Sequence, residues 1–157
     1  MARRLRPVEL AFVESAPLRL VFAAEVAAPP EAVYAALADD VAGWPRWFTG
    51  VARSASTHGG KGREVHLTGG TRFTETVLAA EPDVRYAYRV DTTNAPGPHA
   101  LLEDWRLTPT DGGTRLRWTF AADGPAPFRF LLTLARPGLG RAFRKSARAL
   151  DRRLAKA

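Results

Sequence analysis

The sequence predicts an α+β domain in which a curved antiparallel sheet of six to seven strands wraps around a long C-terminal helix. Three observations lead to this prediction. An alternating strand, Leu18–Val26, runs directly into a short helix that begins at two prolines. Strand-length segments separated by turn residues then fill the middle of the chain. An amphipathic helix follows Pro125, and the concave face of the sheet is the one large apolar surface predicted to cover it.

The first long strand has an apolar residue at every second position. Its apolar side chains share one face, and Arg19 and Glu25 lie on the other, as in a half-buried strand. Pro29-Pro30 ends this strand and opens a helix, because proline is favoured in the first helical turn. Gly43 and Pro45 break the helical spacing, so we expect two short helices after this strand.

Turn signals divide the middle of the chain into segments of strand length. They occur at Gly59-Gly60, Gly69-Gly70, Pro82-Asp83, residues 94–98 and residues 111–113. Several of the intervening segments repeat the alternation of apolar and polar residues, which predicts antiparallel strands joined by hairpins. Gly59-Gly60-Lys61-Gly62 lacks the spacing and the Ser/Thr of a phosphate-binding loop, so we interpret it as a hairpin turn.

The segment after Pro125 has apolar residues at steps of three and four, which predicts an amphipathic helix. Pro137-Gly138 predicts a kink or an interruption in it. The opposite side of the helix is basic, with Arg141, Arg144, Lys145, Arg148 and Arg152. This basic face has three interpretations: a solvated surface, a transient docking surface for anionic lipid head groups, or a nucleic-acid site. No nucleic-acid motif accompanies the charge, so we expect no nucleic-acid partner.

The composition fits a single domain. A chain of 157 residues is long enough for a substantial core and too short for two domains. We assign residues 1–17 to an N-terminal lead-in and residues 18–157 to one domain. The absence of cysteine excludes disulfides and thiolate chemistry. The net charge of +7 comes mostly from arginines spread over nearly every segment, so charge alone identifies no partner.

Neither end of the chain predicts a membrane segment. Pro7, Glu9 and Glu14 interrupt the apolar stretch that an export signal needs. The most apolar part of the C-terminal region, residues 130–135, is far shorter than the ~20 residues that span a bilayer. We therefore expect a soluble, cytoplasmic protein with no stable membrane insertion.

The residue types of metal and nucleophile chemistry are not clustered. The histidines, His58, His66 and His99, are far apart in the sequence, and no cysteine accompanies them, so we predict no metal site. No Gly-x-Ser-x-Gly motif surrounds any serine, and no dinucleotide fingerprint occurs. We predict no cofactor, and the sequence leaves open whether the protein is an enzyme.

Two glutamates interrupt apolar strand faces. Glu103 shares a face with Leu101 and Trp105, and Glu75 shares one with Phe73, although the register of that second strand is nearly a tie. In one interpretation both glutamates lie at the rim of the sheet and pair with an arginine, because buried carboxylates are rare unless paired. In the other, Glu103 points into a cavity and hydrogen-bonds a ligand or acts as an acid or base with a raised pKa.

The inward-facing strand aromatics have the same two interpretations, a filled core or the wall of a ligand pocket. A sheet wrapped around one helix commonly leaves an apolar pocket, and the candidate lining residues share that inward direction. They are Glu103, Trp105, Tyr86, Tyr88, Phe73, Glu75, Trp118, Phe120 and Phe143. Trp44 and Trp47 are predicted to be a structural plug at one end of the sheet.

The order of these elements resembles the START-like superfamily with the helix-grip fold, specifically its bacterial polyketide cyclase/dehydrase and lipid-transport group. The matching features are the first strand with residues 28–34, Trp44-Pro45-Arg46-Trp47, Gly62-Arg63, Glu81-Pro82 and the C-terminal helix. The resemblance covers about residues 18–154. It implies binding or transport of a small hydrophobic molecule, lipid-like or polyketide-like, between sheet and helix. The alternative it implies is a polyketide cyclase, aromatase or dehydratase that uses the same cavity.

Overall fold

The computed structural model describes residues 1–156, so the predicted end of the domain, Ala157, lies outside the described residues. Eight strands and three α-helices account for most of the chain. The strands are β1 (Arg3–Arg4), β2 (Leu18–Val26), β3 (Val51–Thr57), β4 (Gly62–Leu67), β5 (Arg72–Glu81), β6 (Arg85–Thr93), β7 (Ala100–Thr110) and β8 (Gly113–Asp123). The helices are α1 (Phe12–Ser15), α2 (Pro30–Tyr34) and α3 (Ala126–Ala155).

Seven of the strands form one antiparallel sheet in the order β2-β8-β7-β6-β5-β4-β3. The short β1 pairs with the end of β6, beside Thr92 and Thr93. Irregular pairing between β5 and β6 and between β3 and β4 shifts the register locally, and such bulges bend a sheet and increase its twist. The predicted architecture, a curved antiparallel sheet with a long C-terminal helix packed on it, is confirmed.

The segment after β2 contains the predicted short helices. Pro30 opens α2, a π-helical turn follows over Ala35–Asp39, and a 3₁₀ helix covers Val41–Arg46. The indole Nε1 of Trp44 donates to the carbonyl oxygen of Leu37 at 3.0 Å, which satisfies a backbone group where the π-helical turn ends. This bond holds the Trp44 ring against the concave face of the sheet.

The C-terminal helix α3 runs for 30 residues without a break. Of the two predicted outcomes at Pro137-Gly138, the interruption does not occur and the kink stays a prediction, since proline removes one helical hydrogen bond. Both residues are exposed, and the turns that follow are anchored on the sheet by the buried side chains of Phe143, Ala147 and Leu150. Packing of these turns outweighs the local cost of the proline.

The main apolar core lies between the concave face of the sheet and α3, and it includes Trp44, Tyr88, Trp105, Phe143 and Leu150. The opposite face of the sheet is covered by the N-terminal segment. There Val8, Phe12 and Val13 pack against Ala100, Leu102 and Ala121. The concave face is thus left as the side of the sheet that opens toward α3.

Candidate functional site

A cavity of about 340 Å³ lies between the concave face and α3. Its walls come from β3 to β8, from the segment 44–51 and from one side of α3. The lining residues are Trp44, Phe48, Thr49, Gly50, Val51, Arg63, Val65, Leu67, Thr68, Phe73, Glu75, Tyr88, Glu103, Trp118, Phe120, Leu139, Ala142 and Phe143. Thr49, Gly50 and Thr68 are exposed, so the cavity reaches solvent beside them.

Aromatic rings form a continuous layer along this cavity. Trp44 stacks on Phe48 with ring centroids 5.3 Å apart, and Trp118 stacks on Phe143 at 5.7 Å. Phe48 meets Trp118 edge-on at 5.5 Å, which joins the two pairs. Stacked and edge-on arrangements are the favoured geometries of aromatic pairs, so these rings form one continuous packed wall.

Glu103 on β7 is the centre of a hydrogen-bonded group. Its Oε1 atom accepts a hydrogen bond from the hydroxyl of Tyr88 and another from the indole Nε1 of Trp118, both at 2.9 Å. The indole Nε1 of Trp105 in turn donates to the Tyr88 hydroxyl at 3.2 Å. Because both bonds to the carboxyl use Oε1, Oε2 is the oxygen left for a molecule in the cavity.

An ion pair lies beside this group. Arg63 on β4 donates from Nε to Oε1 of Glu75 at 2.7 Å, and both side chains are only 2% exposed. The guanidinium carbon of Arg63 lies 4.3 Å from the centroid of the Trp44 ring and 4.1 Å from that of Tyr88. Among the described residues, Nη1 of Arg63 has no hydrogen-bond partner.

Burial dominates the protonation of these groups. It raises the pKa of the Glu75 carboxyl to about 7, although the charge of Arg63 opposes the shift. It also raises the pKa of Glu103, against the hydrogen bond from Tyr88 and the charge of Arg63. For Arg63, burial lowers the pKa, but Glu75, Tyr88 and Tyr86 together outweigh burial and leave the pKa above its ordinary value. The guanidinium therefore stays charged while the carboxyls titrate.

The structure brings seven of the nine candidate residues to the cavity wall. They are Phe73, Glu75, Tyr88, Glu103, Trp118, Phe120 and Phe143. Trp105 and Tyr86 are buried without reaching the cavity. Trp105 donates a hydrogen bond to the Tyr88 hydroxyl. The ring centroid of Tyr86 lies 5.8 Å from the guanidinium carbon of Arg63.

The two glutamates have different partners. Glu75 is paired with an arginine, as in the rim interpretation, but the pair is buried in the interior. Glu103 is half-buried and has aromatic partners in place of an arginine. Glu75, Tyr88 and Glu103 come from the neighbouring strands β5, β6 and β7, so they form a polar row across the apolar wall.

Arg63 was missed as a site residue by the sequence reasoning, and a signal for it exists. It alternates with Val65 and Leu67 along β4, so the apolar face of that strand contains an arginine. An inward arginine on one strand and an inward glutamate on the next predict a buried pair. Trp44 also lines the cavity, in addition to filling one end of the sheet, whereas Trp47 packs behind it against Trp105.

Within residues 1–156, no three His, Asp or Glu side chains are grouped as metal ligands. Over the same residues, no helix is both long and apolar enough to cross a membrane.

A sheet that grips a C-terminal helix over an internal cavity defines the helix-grip class of α+β proteins. The chain belongs to the polyketide cyclase/dehydrase and lipid transport family, whose model matches residues 18–155. This match confirms the resemblance seen in the sequence. Curated relatives include uncharacterised proteins of Mycobacterium tuberculosis and Mycobacterium bovis, each 35% identical over 150 residues that cover 92% of this chain and 89% of the relative.

Solved structures share the fold at low sequence identity. A START superfamily protein from Mycobacterium smegmatis superposes with a TM-score of 0.68 and 14% identity, over 88% of this chain and 97% of that one. The Zhui aromatase/cyclase from a Streptomyces species has a TM-score of 0.72 and 18% identity, over 88% and 94%. These similarities establish the fold.

Proposed function

We propose that the protein binds a small, neutral, largely apolar molecule that bears a hydroxyl or carbonyl oxygen. The observation that carries the proposal is the cavity of about 340 Å³ with an apolar wall and one polar row. Pockets for small molecules typically measure ~300–1,000 Å³ and combine apolar walls with a few placed polar groups. A water molecule occupies about 30 Å³ in the liquid, so the cavity suits a ligand on the order of ten non-hydrogen atoms.

The aromatic wall supplies the affinity in this proposal. A molecule that fills the cavity leaves water and contacts Phe48, Trp118 and Phe143 on several sides. Burial of apolar surface is worth about 25 cal/mol per Å², and the preformed rings need little reordering. A flat or short aliphatic ligand suits this lining best.

The polar row supplies the orientation. Glu103 faces the cavity with an oxygen that the hydrogen bonds from Tyr88 and Trp118 do not use. Arg63 adds a donor, Nη1, that has no acceptor among residues 1–156. An oxygen on the ligand can accept from a protonated Glu103 or from Arg63, and a ligand hydroxyl can donate to Glu103.

The charges of the row favour a neutral ligand over an anion. Two carboxyls, Glu75 and Glu103, share the region with one guanidinium, Arg63. A ligand carboxylate would place a negative charge beside Glu75 and Glu103, whose pKa values burial already raises. A neutral oxygen avoids that cost.

A second candidate function is supported by Glu103 itself. A carboxyl with a raised pKa that lines a cavity and accepts a hydrogen bond from a tyrosine is typical of a general acid or base. Held against a ligand carbonyl, it would serve a cyclase, aromatase or dehydratase reaction. The wall would then act mainly by positioning the reacting chain.

The binding proposal is tested with three small probes of nearly equal size. Calorimetric titrations compare 1-phenylethanol, which has a neutral oxygen, with ethylbenzene, which has none, and benzoate, which is anionic. We expect 1-phenylethanol to bind most tightly, by about tenfold for one net hydrogen bond. Tighter binding of benzoate, or no binding of any probe, would contradict the proposal.

Variants of Glu103 locate the polar contact. Glu103→Gln keeps an acceptor for Tyr88 and Trp118 and should retain the preference for the oxygenated probe. Glu103→Leu should remove that preference and leave the binding of ethylbenzene nearly unchanged. If Glu103→Leu still prefers 1-phenylethanol, the oxygen is recognised elsewhere.

A further inference from the structure

We infer that the outer face of α3 docks on an anionic lipid bilayer, with its N-terminal part inserted among the lipids. The inference starts from the exposed side of the helix. At steps of three and four, one stripe runs through Pro127, Phe130, Leu134, Gly138, Arg141, Lys145, Arg148 and Arg152. All eight residues are exposed, and the stripe changes character along its length, apolar up to residue 138 and basic from residue 141. We call the first part, together with the adjacent exposed Leu131, the apolar tip, and the second part the basic stripe.

The apolar tip is an unusual surface. Phe130, Leu131 and Leu134 are 62–63% exposed, whereas the neighbouring Phe128 and Leu132 face the sheet and pack on the core. Exposed groups of large apolar side chains mark interaction surfaces more often than the rest of a protein surface does. The tip is on the half of α3 that precedes the cavity.

Helix α3, which contains the basic stripe, carries the net charge of the whole protein. Helix α3 contains eight of the 23 basic residues and one of the 16 acidic residues, which leaves 15 of each sign elsewhere. The net charge of +7 is therefore located in this helix. Arg141, Lys145, Arg148 and Arg152 form no ion pair with any residue between 1 and 156, so their charge is directed to solvent.

An anionic bilayer matches both parts of the surface. Lipid head groups attract basic residues with about 1 kcal/mol each, and the acyl boundary accepts apolar side chains. A nucleic acid would complement the basic stripe but leave the apolar tip in water. A symmetric contact between the α3 helices of two copies is disfavoured, because α3 has one acidic residue, Asp151, and its carboxylate accepts a hydrogen bond from the backbone N–H of Ala27.

The helix need not leave the sheet for this contact. Its inner side stays packed through Phe143, Ala147 and Leu150, while the apolar tip is already exposed. Leu139, which lines the cavity, follows Leu134 by five residues, or about 8 Å along the helix axis. Docking would place the cavity near the lipid surface, from which a membrane-dissolved ligand could enter it. This entry of a ligand rests on the proposed binding function, whereas the docking does not.

Vesicle sedimentation tests the docking directly. The full chain is mixed with sucrose-loaded vesicles of phosphatidylcholine, with or without phosphatidylglycerol. We expect it to sediment with the anionic vesicles and not with phosphatidylcholine alone, and to be released at about 1 M salt, where charges are screened beyond about 3 Å. No sedimentation with anionic vesicles at low salt would overturn the inference.

Two matched variants separate this surface from overall charge. K145Q/R148Q/R152Q removes three charges from the basic stripe and should weaken vesicle binding roughly 10- to 100-fold. R53Q/R72Q/R117Q removes three exposed charges from the sheet and should weaken it far less. Equal losses would mean that the attraction is diffuse and would overturn the assignment to α3.

Insertion of the apolar tip has its own readout. Because the chain has no cysteine, L131C can be labelled at one position with the fluorophore NBD, and V84C provides an exposed apolar control in the turn between β5 and β6. We expect the emission of the label at 131 to shift to the blue with anionic vesicles and that at 84 to stay unchanged. No shift at 131, or dimerisation abolished by F130S/L134S while vesicle binding persists, would show a protein interface instead.

Discussion

The guanidinium of Arg63 organises the electrostatics of the cavity floor. It pairs with Glu75 at 2.7 Å and lies against the rings of Trp44 and Tyr88. Burying an ion pair costs desolvation that only close geometry offsets. The buried pair therefore carries a cost in folding free energy beside a cavity, which is typical of a binding site.

Arg63→Met should destabilise the protein by about 3–5 kcal/mol, because Glu75 is left buried without its cation. Adding Glu75→Leu should restore much of that loss. The measurement is urea unfolding, with R53M, at an exposed arginine of β3, as the control. A single-variant loss as small as that of R53M would show that the pair contributes little.

Glu75 also makes stability depend on pH. Burial raises the pKa of its carboxyl to about 7 in the folded state, against an ordinary value of 4.5 in the unfolded chain. The folded state therefore binds more protons between these values, and the stability from this group is complete below pH 4.5 and is lost as the pH rises through 7.

The free energy of unfolding of the wild type relative to Glu75→Gln should accordingly fall as the pH increases from 4.5 to 8. Urea unfolding at several pH values measures this difference. Glu64→Gln, at an exposed glutamate on the neighbouring strand β4, gives the background of removing one carboxyl. If the wild type instead gains stability relative to Glu75→Gln as the pH increases, the folded protein favours the ionised carboxylate of Glu75, and the prediction is wrong.

Single residues of the site differ in how far the sequence predicts them. The alternation along β7 places Glu103 on the inner face, and the structure agrees. Tyr86 and Trp105 are also buried, yet neither lines the cavity, and both pack beside Tyr88. Alternation gives the direction of a side chain, but its distance from a cavity depends on how neighbouring strands stack.

At the scale of elements, the start of α3 is set by a close contact. Phe128 packs where Gly97 and Gly124 leave room, and a Cβ at Gly97 would lie 2.5 Å from the Phe128 ring. The φ angle of Gly97 is +106°, a conformation that suits glycine. This contact orients the first turns of α3 and so exposes Phe130 and Leu131.

Gly97→Ala should therefore be more destabilising than Gly69→Ala. Both positions have positive φ, of +106° and +101°, but nothing lies within 4 Å of a Cβ at Gly69. The shared backbone strain cancels, and the remaining difference should be about 1–3 kcal/mol from the collision with Phe128. Thermal unfolding measures it. Equal losses would mean that the helix start tolerates movement.

Elements with strong periodicity are predicted well by the sequence. The strand β2, the proline-initiated helix α2 and the amphipathic α3 follow from spacing and turn residues. The break at Pro137 does not occur, because packing two turns later outweighs the local preference. The sequence hardly distinguishes the two possible inner faces of β5. In the structure Glu75 points inward, since the buried Arg63 on β4 lies beside it.

At the scale of the whole molecule, the sequence predicts that sheet and helix enclose a space but not how much of it stays unfilled. A cavity is the small remainder of many packed volumes, so no single residue specifies it. The size and lining given by the structure turn a general expectation of hydrophobic binding into a specific proposal. The distribution of charge is likewise visible only once α3 is placed on the surface.

The most direct test of the account is to fill the cavity from α3. Ala142→Trp projects a large ring from the half-buried wall, whereas Ala135→Trp adds the same ring at an exposed position of the same helix. Calorimetric titration with 1-phenylethanol should show binding to the wild type and to A135W, and at least tenfold weaker binding to a folded A142W. Equal binding by all three proteins would contradict the claim that this cavity is the ligand site.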